Sequence, residues 1–251
     1  MGFPRLMFVG LIALCLAGCG EAAKLDSLAG QGRAKVVEVV SGDMVRLDDG
    51  SDLKLAGVTA PKLSEPYGEA SRERLADMVL GKEVELLSAG AAKDPFGRRL
   101  AQLRMAKGRR WVQGRMLREG AVRVRTFPES RALADMMLRR EGEARNKTRG
   151  LWALPLYRVM LPNEAVVATP GFALVEGQVR QVTTSGEARI LDLGQGFRAE
   201  IPARAIQDFD SAGRSPARLE GRLVRVRGYI GREGSMRLDH PETVEILNPQ
   251  K

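Results

Sequence analysis

The chain has 251 residues, two cysteines, one histidine and a formal charge of +9, with 40 lysines and arginines against 31 aspartates and glutamates. Both cysteines, Cys15 and Cys19, precede position 20, so the rest of the chain holds neither a disulfide nor a free thiol. His240 is the sole histidine, which excludes a histidine-rich zinc site and disfavours a Ser-His-Asp triad; hydrolytic chemistry here must rest on carboxylates, arginine, lysine or a bound metal.

Arg5 is the only charge before position 21, and residues 6–17 are almost wholly apolar. That run is shorter than the roughly 20 residues of a membrane-spanning helix. It matches the apolar core of a secretory signal, with a positive residue before it and small residues after it. Leu16-Ala17-Gly18-Cys19 resembles a bacterial lipobox. The resemblance implies a signal peptide over 1–18, a lipid on the Cys19 sulfur and an exported protein anchored to the cell envelope, at the outer membrane or the periplasmic face. Cleavage near residues 20–23, giving a soluble secreted protein, is the alternative. Residues 19–32 are small and polar and read as a tether.

Strand patterns follow at 36–40, 44–47 and 53–55, divided by the turns Ser41-Gly42-Asp43 and Asp48-Asp49-Gly50. Residues 69–80 carry a helical pattern that Gly81 stops. Residues 84–87 and 100–103 read as strands flanking the turn Lys93-Asp94-Pro95-Phe96-Gly97, and 111–119 and 130–146 as helices, the second with Ser130 as N-cap. Gly150-Leu151-Trp152 closes this domain, placed at 33–153. The order predicts a mainly β fold with helices (α+β): a five-stranded OB-type barrel with helices packed on it. Residues 154–171, with Pro155, Pro162 and Pro170, read as a linker. Short strands at 174–182, 188–193, 197–201, 223–230 and 244–247, with a helical turn at 206–209, predict a second small OB-like β-barrel over 172–248. No sequence repeat relates the two halves.

The charge is uneven. Residues 33–160 hold 26 Lys and Arg against 17 Asp and Glu, whereas 172–248 hold 11 Arg, no Lys and 11 acids. Arg98, Arg99, Arg104, Lys107, Arg109, Arg110 and Arg115 lie in one stretch that continues to Arg125. Such a field favours nucleic acid or another polyanion; a solvated face near a negative membrane is the bland reading. The second domain is neutral, and its aromatics are only Phe172, Phe197, Phe209 and Tyr229. That speaks against a stacking platform for single strands, and points instead to packing on the first domain or to an envelope protein partner.

At Ser41-Gly42-Asp43, residues 53–62, 67–71 and 94–101, and Gly150-Leu151-Trp152, the chain resembles the thermonuclease (staphylococcal-nuclease-like) family, over about residues 34–153. The resemblance implies calcium-dependent phosphodiester hydrolysis, in which two aspartates hold the metal, a glutamate helps activate water and two arginines meet the phosphate. Asp43 matches the first calcium aspartate and Arg98 the second arginine. Lys54 stands at the first arginine, keeping the charge without the bidentate fork. Thr59 stands at the second aspartate and Lys62 at the glutamate, which removes a metal ligand and the proton acceptor. Glu65, three residues on, is a candidate substitute. Without the resemblance, Asp43 is a turn residue and Arg98 one more basic side chain.

The expected function is a membrane-anchored thermonuclease-like protein with a degenerate catalytic site that binds nucleic acid or another polyanion. No cofactor is expected unless the site is active, in which case it is calcium. The alternatives are a metal-dependent phosphodiesterase cleaving DNA or RNA, and an envelope scaffold whose barrels bind a protein partner.

Overall fold

A computed structural model describes residues 22–94 and 97–247. The signal peptide and Cys19 lie outside the described residues, as do Pro95 and Phe96 of the 93–97 turn. Among the described residues no helix is long and apolar enough to cross a membrane.

The first barrel is built by β1 (Gly30–Ser41), β2 (Met44–Leu47), β3 (Asp52–Leu55), β5 (Glu83–Leu87) and β6 (Arg99–Met105), paired in the closed order β1-β2-β3-β6-β5. Alternation sets the faces: Val45, Leu47, Leu53 and Leu55 point inward and are fully buried. β1 is long enough to pair β5 through its first half and β2 through its second, and shifts of register between Val36 and Glu38 and between Val39 and Ser41 bend it between the two. Helix α2 (Gly68–Val79) plugs the barrel with Leu75, Met78 and Val79. Helices α3 (Val112–Arg118) and α4 (Ala134–Asn146) pack on one another outside it. A two-residue ribbon, β4 (Val58–Thr59) against β7 (Arg123–Val124), has too few residues to leave a periodic signal and is absent from the sequence reading.

The second barrel uses β8 (Gly171–Gln178), β9 (Gln181–Ser185), β10 (Ala188–Asp192), β11 (Arg198–Ile201), β12 (Leu223–Ile230) and β13 (Ser235–Arg237). β8 runs into β9 with a bend at which Val179 donates to the Arg222 carbonyl and Arg180 to that of Asp192. The bent strand therefore pairs β12 at one end and β10 at the other, while β11 lies parallel to β13 and β13 antiparallel to β12. This is the connectivity of the first barrel, in which β3 and β6 are the parallel pair. In both, a helix follows the third strand: α2 in the first, α6 (Ala203–Ser211) in the second. β14 (Val244–Ile246) adds to β12.

Three local readings are corrected. Residues 22–26 form a short helix, α1, whose Leu25 is buried in the first core and whose Asp26 pairs with Arg104 and Arg109; β1 begins at Gly30. Small polar composition reads as a tether, but one leucine and one aspartate are enough to dock it. Ser130 does not cap α4, which starts at Ala134; a separate turn at Arg131–Ala134 intervenes. Arg131 is held there by Asp208 at 3.1 Å and Glu242 at 3.4 Å in the second barrel. The presumed linker is packed: Tyr157 is buried and donates to the Pro66 carbonyl at 2.5 Å, and α5 (Pro162–Val166) buries Ala165 in the second core.

The barrels are joined by a sealed ion cluster. Glu141 of α4 and Arg227 of β12 are 0% and 2% exposed and meet at 2.8 Å, with Glu245 on Arg227 at 2.6 Å and Arg145 on Glu141 at 3.1 Å. Arg225 bonds Glu176 at 2.7 Å beside them. Burial pushes the Glu141 carboxyl up, but Arg227 and Arg145 outweigh it and hold the group below the usual carboxylate range.

Candidate functional site

The Ser41-Gly42-Asp43 turn joins β1 to β2 and lies against α2 so closely that a Cβ on Gly42 would sit 1.9 Å from the Ser71 hydroxyl. Glycine at that position lets the turn seat Asp43 at the mouth of the first barrel, with its side chain 7% exposed. Its Oδ1 accepts from the Ser41 hydroxyl at 2.8 Å and its Oδ2 from the Ala60 N–H at 2.7 Å. Lys54 comes from β3, directly opposite Met44 of β2, and sets its ammonium against the same Oδ2.

Lys54 is 19% exposed. Burial pushes its ammonium toward the neutral form, Asp43 opposes that, and the neighbouring charges of Arg98 and Arg125 reinforce it. Arg98 precedes β6, two residues before Leu100, the partner of Lys54 across the sheet. It is fixed by Asp94, which accepts from its backbone N–H at 3.0 Å and from its guanidinium at 2.6 Å, and its Nη1 reaches the Met44 sulfur at 3.8 Å. Arg125 arrives just after β7, its N–H bonded to the Gly57 carbonyl at 2.9 Å. Gly57 has φ +76, and a Cβ there would meet the Met137 sulfur at 2.5 Å. The site therefore brings together Asp43, Lys54 and Arg98 as the sequence predicted, and adds two residues the sequence reading did not assign to it. Asp94 lies four residues before Arg98, a spacing that a turn closes. Arg125 is brought in by the unseen two-residue ribbon.

The residues do not fit calcium. A hard dication takes six to eight oxygen ligands. Asp43 supplies the carboxylate here, and both its oxygens already accept hydrogen bonds, one of them also facing an ammonium. Thr59 brings no charge and Lys62 is exposed. The Glu65 carboxylate turns back to the Lys62 N–H at 2.9 Å rather than toward Asp43. Among the described residues, no three His, Cys, Asp or Glu side chains are grouped so as to hold a metal. Asp43, the expected metal ligand, stands here as the counter-ion of Lys54.

The basic stretch does not form one field. Arg104 is buried between Glu85 at 2.6 Å and Asp26, so its role as a polyanion contact is corrected to a structural one. Arg109 shares Asp26, Arg99 pairs with Asp49 at 3.0 Å, and Arg115 pairs with Glu119 at 2.9 Å. Lys107, Arg109 and Arg110 are exposed on the turn after β6. Arg110, Arg115, Arg118 and Arg140 line a shallow groove on the α3 side, apart from Arg98.

A family model described as staphylococcal nuclease homologue matches residues 52–154. "Probable staphylococcal-like nuclease CAN2" of Oryza sativa subsp. japonica is 33% identical over 102 residues, 40% of this chain. The chain spans about a quarter of that relative's length, 26%. An "Uncharacterized endonuclease" of Escherichia coli O157:H7 is 29% identical over 122 residues, which are 47% of this chain and 76% of the relative. "Protein ParB" of Escherichia coli is 32% identical over 133 residues, 49% of this chain and 73% of the relative.

Proposed function

Because the chain belongs to the staphylococcal nuclease homologue family, we propose that it is a nucleic-acid-binding protein whose first barrel holds strand phosphates on Lys54, Arg98 and Arg125 without calcium-dependent hydrolysis. The observation that carries this reading is the Lys54 ammonium on Asp43. A cation is needed beside that carboxylate, and the chain supplies one covalently. The positive charge of Lys54, Arg98 and Arg125 then attracts a phosphodiester, while the carboxylates beside them, Asp43 and Asp94, are each held on one of these cations, Lys62 is a cation and Glu65 is bonded to backbone, which leaves the site poorly equipped to take a proton from water. A lysine also gives a point charge rather than a fork, which suits phosphate binding better than stabilising the extra charge of a transition state. Base-edge readout has no counterpart in this site, so binding is expected to depend on salt more than on sequence.

The same proposal places the protein in the cell envelope of its host, anchored by a lipid on Cys19; Leu16-Ala17-Gly18-Cys19 supports it. Cys19→Ala should release the protein from the membrane fraction, and continued membrane partition with normal processing would remove the anchor from the account.

The function is tested by incubating the protein with single-stranded DNA and RNA, with calcium and with chelator, beside Arg98→Ala. Salt-sensitive retention of intact strands is the expected result. Cleavage that needs calcium and disappears in Arg98→Ala would establish an active phosphodiesterase instead. No retention at low salt would leave the envelope scaffold, for which a pull-down from membranes is the direct assay.

A further inference from the structure

A cleft of about 200 Å³ opens between the barrels. Arg125, Thr126 and Phe127 line it from the first barrel, and Tyr229, Arg237 and His240 from the second. Its size is below the roughly 300–1,000 Å³ of a typical small-molecule pocket and suits one planar ring system. Tyr229 is 54% exposed, so part of its ring is open to a ligand at the cleft. The Arg125 guanidinium lies 4.8 Å from the Tyr229 ring centre and 5.0 Å from that of Phe127. Phe172 supports Tyr229 edge-on at 5.8 Å. Phe197 and Phe209 are fully buried in the second core, whereas Tyr229 and Phe172 stand at the cleft, where a single ring rather than a platform is offered.

His240 adds a polar group. It is 2% exposed, its Nε2 is 2.7 Å from the Thr126 hydroxyl, and its Nδ1 has no protein hydrogen-bond partner. A neutral imidazole carries one donor and one acceptor, and the Thr126 hydroxyl can rotate to match either tautomer. Nδ1 is itself buried, so the imidazole contributes to the wall of the cleft rather than an open contact. Burial keeps the ring neutral, with a pKa lowered to about 4.

We propose that this cleft receives one base of a single-stranded nucleic acid, stacked on Tyr229, while Arg125 holds the phosphate that leads on to Arg98 and Lys54. The inference rests on the phosphate reading above and assigns the second barrel its part in it. Arg125 links the two sites: its backbone bonds Gly57, three residues after Lys54, while its side chain stacks on Tyr229. The division of charge fits, since the first barrel supplies the excess cations for the backbone and the neutral second barrel supplies the ring for the base.

The test is fluorescence anisotropy with the full chain, using a labelled thymidylate single strand and an abasic strand of the same length. The base-bearing strand should bind more tightly than the abasic one. Tyr229→Ala should weaken the base-bearing strand by about 5-fold or more, the loss of one stacked base, and weaken the abasic strand distinctly less, since Arg125 keeps its contact with Phe127; circular dichroism shows that the variant is folded. Tyr229→Phe should keep both affinities. If Tyr229→Ala binds the base-bearing strand as well as the parent does, or loses both strands equally, the base site is wrong. Failure of the phosphate reading looks different: Arg98→Ala would then leave both strands bound as before.

Discussion

Two clusters of buried charge sit on the first barrel and do opposite things. At the joint between the barrels, Arg145, Arg225 and Arg227 each meet a carboxylate, among Glu141, Glu176 and Glu245, while the buried Arg123 beside them donates to the Phe172 carbonyl and lies over the Tyr157 and Phe172 rings. At the barrel mouth, Asp43 and Asp94 stand with Lys54, Arg98 and Arg125, two against three. The arginines of the joint all have carboxylate, carbonyl or ring partners within the protein. The cluster at the mouth keeps a positive remainder that a phosphate can neutralise. The comparison teaches that burial of a cation does not by itself mark a binding site: what differs is whether its partners come from across the joint or leave a positive remainder at an open mouth.

The sharpest way to break the comparison is to restore the carboxylates at the mouth. The triple substitution Lys54→Arg, Thr59→Asp and Lys62→Glu exchanges the ammonium on Asp43 for a forked guanidinium and returns a second metal carboxylate and a proton acceptor. Calcium-dependent cleavage of single-stranded DNA should appear, with the restored acid–base group alone worth roughly 10²–10⁴-fold. A variant that is folded, binds calcium and still cleaves nothing would mean that the charge count at the mouth does not explain the lost chemistry.

At the joint, Glu141→Gln should leave Arg227 without its buried partner and cost about 3–5 kcal/mol of stability in urea unfolding, with little loss if Arg227 is replaced by methionine at the same time. Equal losses in the single and double variants would show that the pair holds the barrels by shape rather than by charge.

A smaller effect is expected from pH. His240 is neutral when folded and has a pKa of about 4, against 6.5 when unfolded. Between those values the unfolded chain binds the extra proton, so stability rises with pH across that window and is lost as pH falls from 6.5 toward 4, by up to about 3 kcal/mol. His240→Asn should flatten the pH 4.5–6.5 segment of the melting curve; an unchanged slope would assign it to other groups. Smallest of all, Arg98→Ala should reduce the slope of log affinity against log salt by about one contact, while Glu141→Gln leaves that slope alone.

Much of this architecture was readable in the chain. Alternation at Val45, Leu47, Leu53 and Leu55 gives the strands, and Gly81 and the Pro-rich segment give breaks between elements. The resemblance carried by Asp43, Lys54 and Arg98 gives three residues that the fold does bring together. Other features leave no local pattern. The ribbon of Val58–Thr59 against Arg123–Val124 is too short for periodicity, yet it delivers Arg125. The pairing of Arg104 with Glu85 and Asp26 depends on contacts 19 and 78 residues away, so a basic run looked like a surface field when part of it is internal. Likewise Tyr229 and His240 meet Arg125 and Thr126 over more than a hundred residues, a distance at which composition counts aromatics but cannot place them.

The docking of residues 22–26 fixes how far the protein could stand from a membrane. With Leu25 in the core and Asp26 on Arg104 and Arg109, the lipid on Cys19 proposed above would leave a leash of three residues before the folded barrel. Even fully extended, three residues reach only about 11 Å. The exposed turn bearing Lys107, Arg109 and Arg110 holds the inner end of that leash through Asp26. It would lie about one Debye length from the lipid headgroups, where each basic side chain near an anionic surface is worth about 1 kcal/mol. Such an anchor does more than retain the protein: it sets which side of the first barrel faces the bilayer.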